Sequence, residues 1–227
     1  MRGRKLLGIA ATSFLSLGCI SGVSCCLEST AQRQALEEKI RQSENFIVTI
    51  EGVQIPPQNN CKQFGASLAS QYNLSQSSSI GNWWCHVPYI EQAHKAGGKI
   101  ILVGHSAGTH QGKLIAGKCK SLGIDIGLMI YLDPTYTNLP LASLDKIPSN
   151  VKKVLAFYSD DSLLRGRFLQ DNDFESKETK YSNYRISQVN HWQVVLDKEV
   201  YKIAGQEIRK VLDTKKIVFS QTPYFSS

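Results

Sequence analysis

Two hundred and twenty-seven residues, 42% hydrophobic and 20% charged, exclude a disordered chain and leave room for one well-buried core. The formal net charge of +7 includes Arg2, Arg4 and Lys5 of a segment that reads as a targeting signal, and the remainder, about +4, is too mild and too scattered to recruit nucleic acid.

Residues 1–26 have the layout of an export signal: a basic start, an apolar run over 6–17, then small residues. A run of about twelve residues falls short of the ~20 that cross a bilayer as a helix. A removable signal is therefore expected rather than a permanent anchor, leaving 27–227 as a single domain. Leu15-Ser16-Leu17-Gly18-Cys19 also resembles a bacterial lipobox, although Ser16 stands where Leu is usual. Two outcomes stay open: ordinary cleavage near Cys25, or acylation of Cys19, which would tie the protein to a membrane. The expected location is periplasmic, secreted or lipoprotein-anchored. Six cysteines in an exported chain permit disulfides, and Cys61 with Cys85 is the pair expected first. Cys119, on an apolar helix face, reads as a buried free thiol. No Cys/His pair has metal-ligand spacing, and neither a metal nor a cofactor is expected.

A capped polar helix is predicted from residue 29 to about 42, followed by a buried strand over 46–50. A turn-rich loop with Pro56-Pro57 and Asn59-Asn60 leads to a helix over about 62–72, then to a Ser-rich stretch at 75–79. Residues 83–96 read as helical, and Gly97-Gly98 stops that helix before a continuously apolar strand at 99–103. Next come a helix over 107–121, strands over 126–132, 153–158 and 184–189, and a final amphipathic helix. The apolar positions of that helix, Val200, Ile203, Ala204, Ile208, Val211 and Leu212, recur at helical spacing. Alternating strands and helices predict an α/β fold with a doubly wound, mostly parallel sheet, whose functional groups belong at the carboxyl ends of the strands.

Directly after the strongest strand stands Gly104-His105-Ser106-Ala107-Gly108, a G-x-S-x-G pattern in the strand-turn-helix context it requires. Glycines two positions either side of the serine allow a tight, strained turn in which side chains would strike the neighbouring strand and helix. A serine hydroxyl is a poor nucleophile at neutral pH, so it needs a histidine to take its proton and a carboxylate to hold that histidine's tautomer. Of the five histidines, only His191 lies far enough downstream, just after the last strand. His105 and His110 flank the serine too closely, and His86 and His94 precede it. Two strand ends offer an acid: Asp133, after 130–132, and Asp160-Asp161, after 154–158. Each is also a plausible turn residue or helix cap.

The stretch from 46 to 212 resembles a small α/β-hydrolase of the lipase and esterase type, on the strength of Gly104-His105-Ser106-Ala107-Gly108. In most members of that family the acid follows the strand that corresponds to 154–158, which would be Asp160. A lipase-like subgroup carries it one strand earlier in a Leu-Asp-Pro sequence, which Leu132-Asp133-Pro134 resembles, so Asp133 is preferred and Asp160 remains the alternative. The resemblance also implies an oxyanion hole made by the backbone N–H of Ala107 and of Gly52 or Val53. Glu51-Gly52-Val53 stands where many relatives have a His-Gly pair.

The expectation is an exported serine hydrolase that cleaves small-molecule or lipid carboxylic esters through an acyl-enzyme on Ser106, with His191 and Asp133 completing the relay. A thioesterase, transacylase or peptidase could use the same three residues. A rival of another class is a non-catalytic surface protein on the same scaffold. Segments 137–150 and 162–183 read as irregular, and their Leu139, Leu141, Leu144, Leu163, Leu164 and Phe168 would either line the site or pack in the core.

Overall fold

The computed structural model describes residues 30–52, 60–80, 83–134, 146–159 and 168–212. Six strands form one sheet: β1 (Phe46–Glu51), β2 (Ser75–Ile80), β3 (Ile100–His105), β4 (Leu128–Leu132), β5 (Lys153–Ser159) and β6 (Lys180–Ile186). Their order is β2-β1-β3-β4-β5-β6, and every neighbouring pair is parallel. Every position of β1, β3 and β4 is buried, which is why these segments are apolar almost throughout rather than alternating.

Among the described residues, five α-helices cover the two faces of the sheet. The alternate β1 residues Phe46, Val48 and Ile50 share one apolar cluster with Leu36 and Ile40 of α1 (Thr30–Ser43), Ile90 of α3 (Val87–Lys95) and Ile115 and Cys119 of α4 (Gly108–Ser121). Ile47 and Val103 face the other way, against Phe64 and Leu68 of α2 (Asn60–Tyr72) and Val200, Ala204 and Ile208 of α5 (Lys198–Leu212). The period-2 alternation of the strands meets the period-4 stripe of α5 across this second face. Asp197 caps α5, its Oδ1 accepting from the backbone N–H of Glu199 at 2.8 Å and of Val200 at 3.2 Å.

Strand order reverses between β1 and β3, because the chain passes from β1 to β2 on one side and then crosses to β3 on the other. In an open parallel sheet, the crevice outside the carboxyl ends at such a reversal is where ligands bind. Gly52 at the end of β1 and Ser106 at the end of β3 stand at that reversal.

Two elements differ from the sequence expectation. The Ser-rich stretch is β2, an edge strand paired with β1 from Phe46↔Ser75 to Glu51↔Ile80. The last strand starts at Lys180, four residues before its predicted start and inside a segment read as irregular, and runs along the opposite edge. The expected pairing of Cys61 with Cys85 is overturned, since neither residue is in a disulfide. Cys61 is turned into the core under α2, its Sγ 3.8 Å from the carbonyl oxygen of Ile50, and burial pushes that thiol's pKa far up. Cys119 is a buried free thiol, raised to about 12 by burial and then by the charge of Glu91. Cys19 and the export signal lie outside the described residues.

Candidate active site

The elbow after β3 has the strain its glycines predict. Ser106 sits at φ +55°, in the left-handed region that a non-glycine residue adopts only under constraint. The constraint is close approach on both sides. A Cβ on Gly104 would lie 2.7 Å from the Cα of Thr109 at the start of α4, and one on Gly108 would lie 2.2 Å from the carbonyl oxygen of Ile50 in β1. The turn is held by the Ser106 N–H, which donates to the Leu132 carbonyl at 3.0 Å, and by the Thr109 hydroxyl, which donates to the Ser106 carbonyl at 2.8 Å.

That first bond ties the elbow to the end of β4, and Asp133 is the next residue. Asp133 is buried, with φ +42°. Its Oδ2 accepts a hydrogen bond from the His191 Nδ1–H at 2.6 Å. The same oxygen accepts from the Ser159 hydroxyl at 2.7 Å, while Oδ1 accepts from the Ser159 N–H at 3.0 Å. A carboxylate that meets a histidine and two donors from a neighbouring strand end has its charge compensated without solvent. Asp160, the alternative acid, lies outside the described residues.

His191 is carried on a turn that closes on itself. Asn190 Oδ1 accepts from the N–H groups of Trp192 and Gln193, both at 3.0 Å, and Gln193 Oε1 accepts from the Asn190 N–H at 2.9 Å. This reciprocal arrangement has the logic of a capping box and fixes the backbone around the imidazole. His191 is 4% exposed, and its Nε2 has no hydrogen-bond partner. A buried polar nitrogen without a partner is costly and marks a place where a further group belongs. The second imidazole at the site is His105, which lies against His191 and holds the loop that carries it, its Nε2 3.0 Å from the His191 carbonyl oxygen.

The loop after β1 meets the elbow at Gly52. A Cβ there would come within 2.8 Å of the Ala107 nitrogen and 2.9 Å of the Ser106 Cβ, so only glycine lets this loop reach the backbone amide that follows the serine. Glu51 is buried at the end of β1, and its Oε1 accepts from the N–H of Lys62 at 3.1 Å, tying the end of β1 to the first turn of α2. Val53 lies outside the described residues, as do Leu139, Leu141, Leu144, Leu163 and Leu164. Phe168 is described and half exposed, with its ring edge-on to Tyr158.

Sequence reasoning passed over Ser159, the Asn190–Gln193 turn and the contact of His105 with His191. The Asn-x-x-Gln spacing around His191 is a readable turn signal. The other two depend on which strand ends become neighbours.

No protein-family model matches the chain, and no curated protein matches it by sequence. Solved structures do. It is similar to EstE1, a thermostable carboxylesterase cloned from a metagenomic library (TM-score 0.56, 11% identity, 74% of this chain and 80% of that one). It is also similar to an arylesterase (0.54, 11%, 74% and 76%) and to an esterase of Pyrobaculum calidifontis (0.51, 13%, 74% and 76%). This is an α/β-hydrolase fold. At these identities the likeness speaks for the scaffold alone, and the chemistry has to be argued from the side chains.

Proposed function

We propose that the chain is an exported serine hydrolase that cleaves carboxylic esters through an acyl-enzyme. The observation that carries the proposal is the buried His191 imidazole, bound to Asp133 through Nδ1 and left without a partner at Nε2, on the rim of the sheet where the strained Ser106 stands. Asp133 fixes the tautomer that bears hydrogen on Nδ1, which leaves the Nε2 lone pair to act as a base. The Ser106 oxygen attacks the acyl carbon as its proton passes to Nε2, and the carbonyl electron pair moves onto oxygen. That oxyanion is met by the Ala107 N–H and by a donor from the loop that begins at Gly52. Collapse expels the alcohol, which takes the proton from Nε2. A water molecule then repeats the sequence on the acyl-serine and releases the acid. No cofactor enters these steps.

An active-site-directed fluorophosphonate should label Ser106, with labelling abolished in Ser106→Ala and aryl esters turned over faster than aryl amides. Folded protein that is not labelled overturns the proposal. Preference for amides would make the enzyme a peptidase on the same relay. Export belongs to the same proposal and rests on the basic start and apolar run of residues 1–26. Mass spectrometry of the mature N-terminus separates cleavage near Cys25 from a lipid-modified Cys19.

A further inference from the structure

A single hydrogen bond at Nδ1 is a pivot, because an imidazole held only by Asp133 can still swing about the Nδ1–Oδ2 line and carry Nε2 with it. A relay that must place Nε2 against a serine oxygen needs a second restraint, normal to the ring. His105 supplies one. Its ring centroid lies 4.7 Å from that of His191 with the planes 31° apart, while Trp192 meets the His191 ring edge-on at 4.7 Å and 79°. Trp192 also meets the His105 ring at 5.6 Å. The His105 Nε2 faces the His191 carbonyl oxygen, an acceptor with no proton of its own, so Nε2 must carry the hydrogen and donate it. The residue before the serine thus grips both the main chain and the side chain of the histidine that would serve it.

We infer that His105 is a positioning residue: its Nε2–H anchors the backbone of His191 to the end of β3, and its face fixes the plane of the His191 imidazole. The inference rests on the assignment of His191 as the base. The grip is stiff because β3 is buried at every position and paired on both sides. It is also electrically quiet. Burial first, and then the charge of His191, lower the His105 pKa to about 4, against the opposing influence of the His191 carbonyl and of Asp133. A neutral ring can touch His191 while the latter becomes an imidazolium, whereas a cation in the same place would oppose that step.

The test compares His105→Gln, whose amide retains an N–H donor, with His105→Phe, which retains a ring face without one. Two readouts are needed: ester kinetics, and the downfield proton resonance of the His191 Nδ1–H. With loss of the anchor, kcat of the Phe variant should fall by about 10- to 100-fold, the scale on which small misplacements act, while KM stays within about twofold. Its downfield line should shift or broaden. The Gln variant, which keeps the anchor but not the ring face, should lose only about fivefold in kcat, and its line should broaden less than that of the Phe variant. A folded Phe variant with wild-type kcat and an unaltered resonance overturns the inference, as does a Gln variant impaired as much as Phe. If the Phe variant does not fold, Gln against Asn gives the same contrast, since the shorter Asn amide falls short of the carbonyl. The resonance needs no turnover. A wild-type protein that shows the line but cleaves no ester overturns the proposed function while the resonance still judges His105.

Discussion

Asp133 Oδ2 is shared between two donors, His191 Nδ1 at 2.6 Å and the Ser159 hydroxyl at 2.7 Å, and the two bonds do different work. The first sets a tautomer and the second holds the carboxylate in place. Asp133→Asn keeps the shape but presents an amide that can donate to Nδ1, and this puts the imidazole hydrogen on the wrong nitrogen. A loss on the order of 10⁴ in kcat is expected. Ser159→Ala, which keeps the N–H to Oδ1, should cost about tenfold, in line with a charge-assisted hydrogen bond. Asp160→Asn should change kcat by less than about twofold, and steady-state kinetics on the three purified variants rank them. Apart from the Leu-Asp-Pro resemblance that favoured Asp133, the two candidate acids looked alike in sequence because each follows an apolar strand of the same sheet. The distinction lies in a contact between strands, since Ser159, just before Asp160, is already spent on Asp133. Gly52 has the same character. Its neighbours at 2.8 Å and 2.9 Å come from residues 107 and 106, so Gly52→Ala should push the loop off the Ala107 amide. A fall in kcat of about 10²-fold or more is expected, the cost of a lost oxyanion donor.

Among the elements, β1, β3 and β4 were readable because strands buried on both faces are apolar at nearly every position. The helices were readable to within one or two residues by their periodic stripes, except that the segment read as helical from 83 opens with a 3₁₀ turn over Trp83–His86 before α3 begins at Val87. The edges were not. β2 is Ser75–Ile80, five polar residues and one isoleucine, with none of the aromatic residues that usually advertise a strand and β-branching only at its last position. It exists because β1 offers it a row of hydrogen bonds and because His86 accepts or donates to Ser77 Oγ at 2.9 Å and Ser79 Oγ at 2.7 Å. β6 begins in polar residues for the same reason, being half exposed along most of its length. Close packing of α2 on β1 yields a prediction at this scale. A Cβ at Gly65 would lie 2.0 Å from the Thr49 Cγ2. Gly65→Ala should therefore destabilise the protein by about 1–3 kcal/mol through overpacking, visible as a Tm several degrees lower in a thermal melt.

For the molecule as a whole, two buried histidines make stability depend on acidity. Burial lowers His86 to about 4, and His105 is lowered to about 4 as well. Both groups are neutral in the folded and the unfolded chain above about pH 6.5, where they add no pH dependence. Below that, the unfolded chain binds protons that the folded chain refuses, so stability should fall as pH drops from about 6.5 to 4 and then level off with respect to these groups. Urea titrations across that window should give a slope that His86→Gln reduces by about 1.4 kcal/mol per pH unit. A slope unchanged by that substitution would mean that His86 is charged in the native state.

The hydrogen bond between His105 and His191 spans 86 positions of the chain, and this separation has a consequence during synthesis. Residue 191 and α5 are the last described parts of the chain to be made, so the face of β1, β3 and β4 that α5 covers stays open until both have been added. On the proposed reading, a chain that stops short of residue 191 carries the serine without its base and is expected to take no fluorophosphonate label.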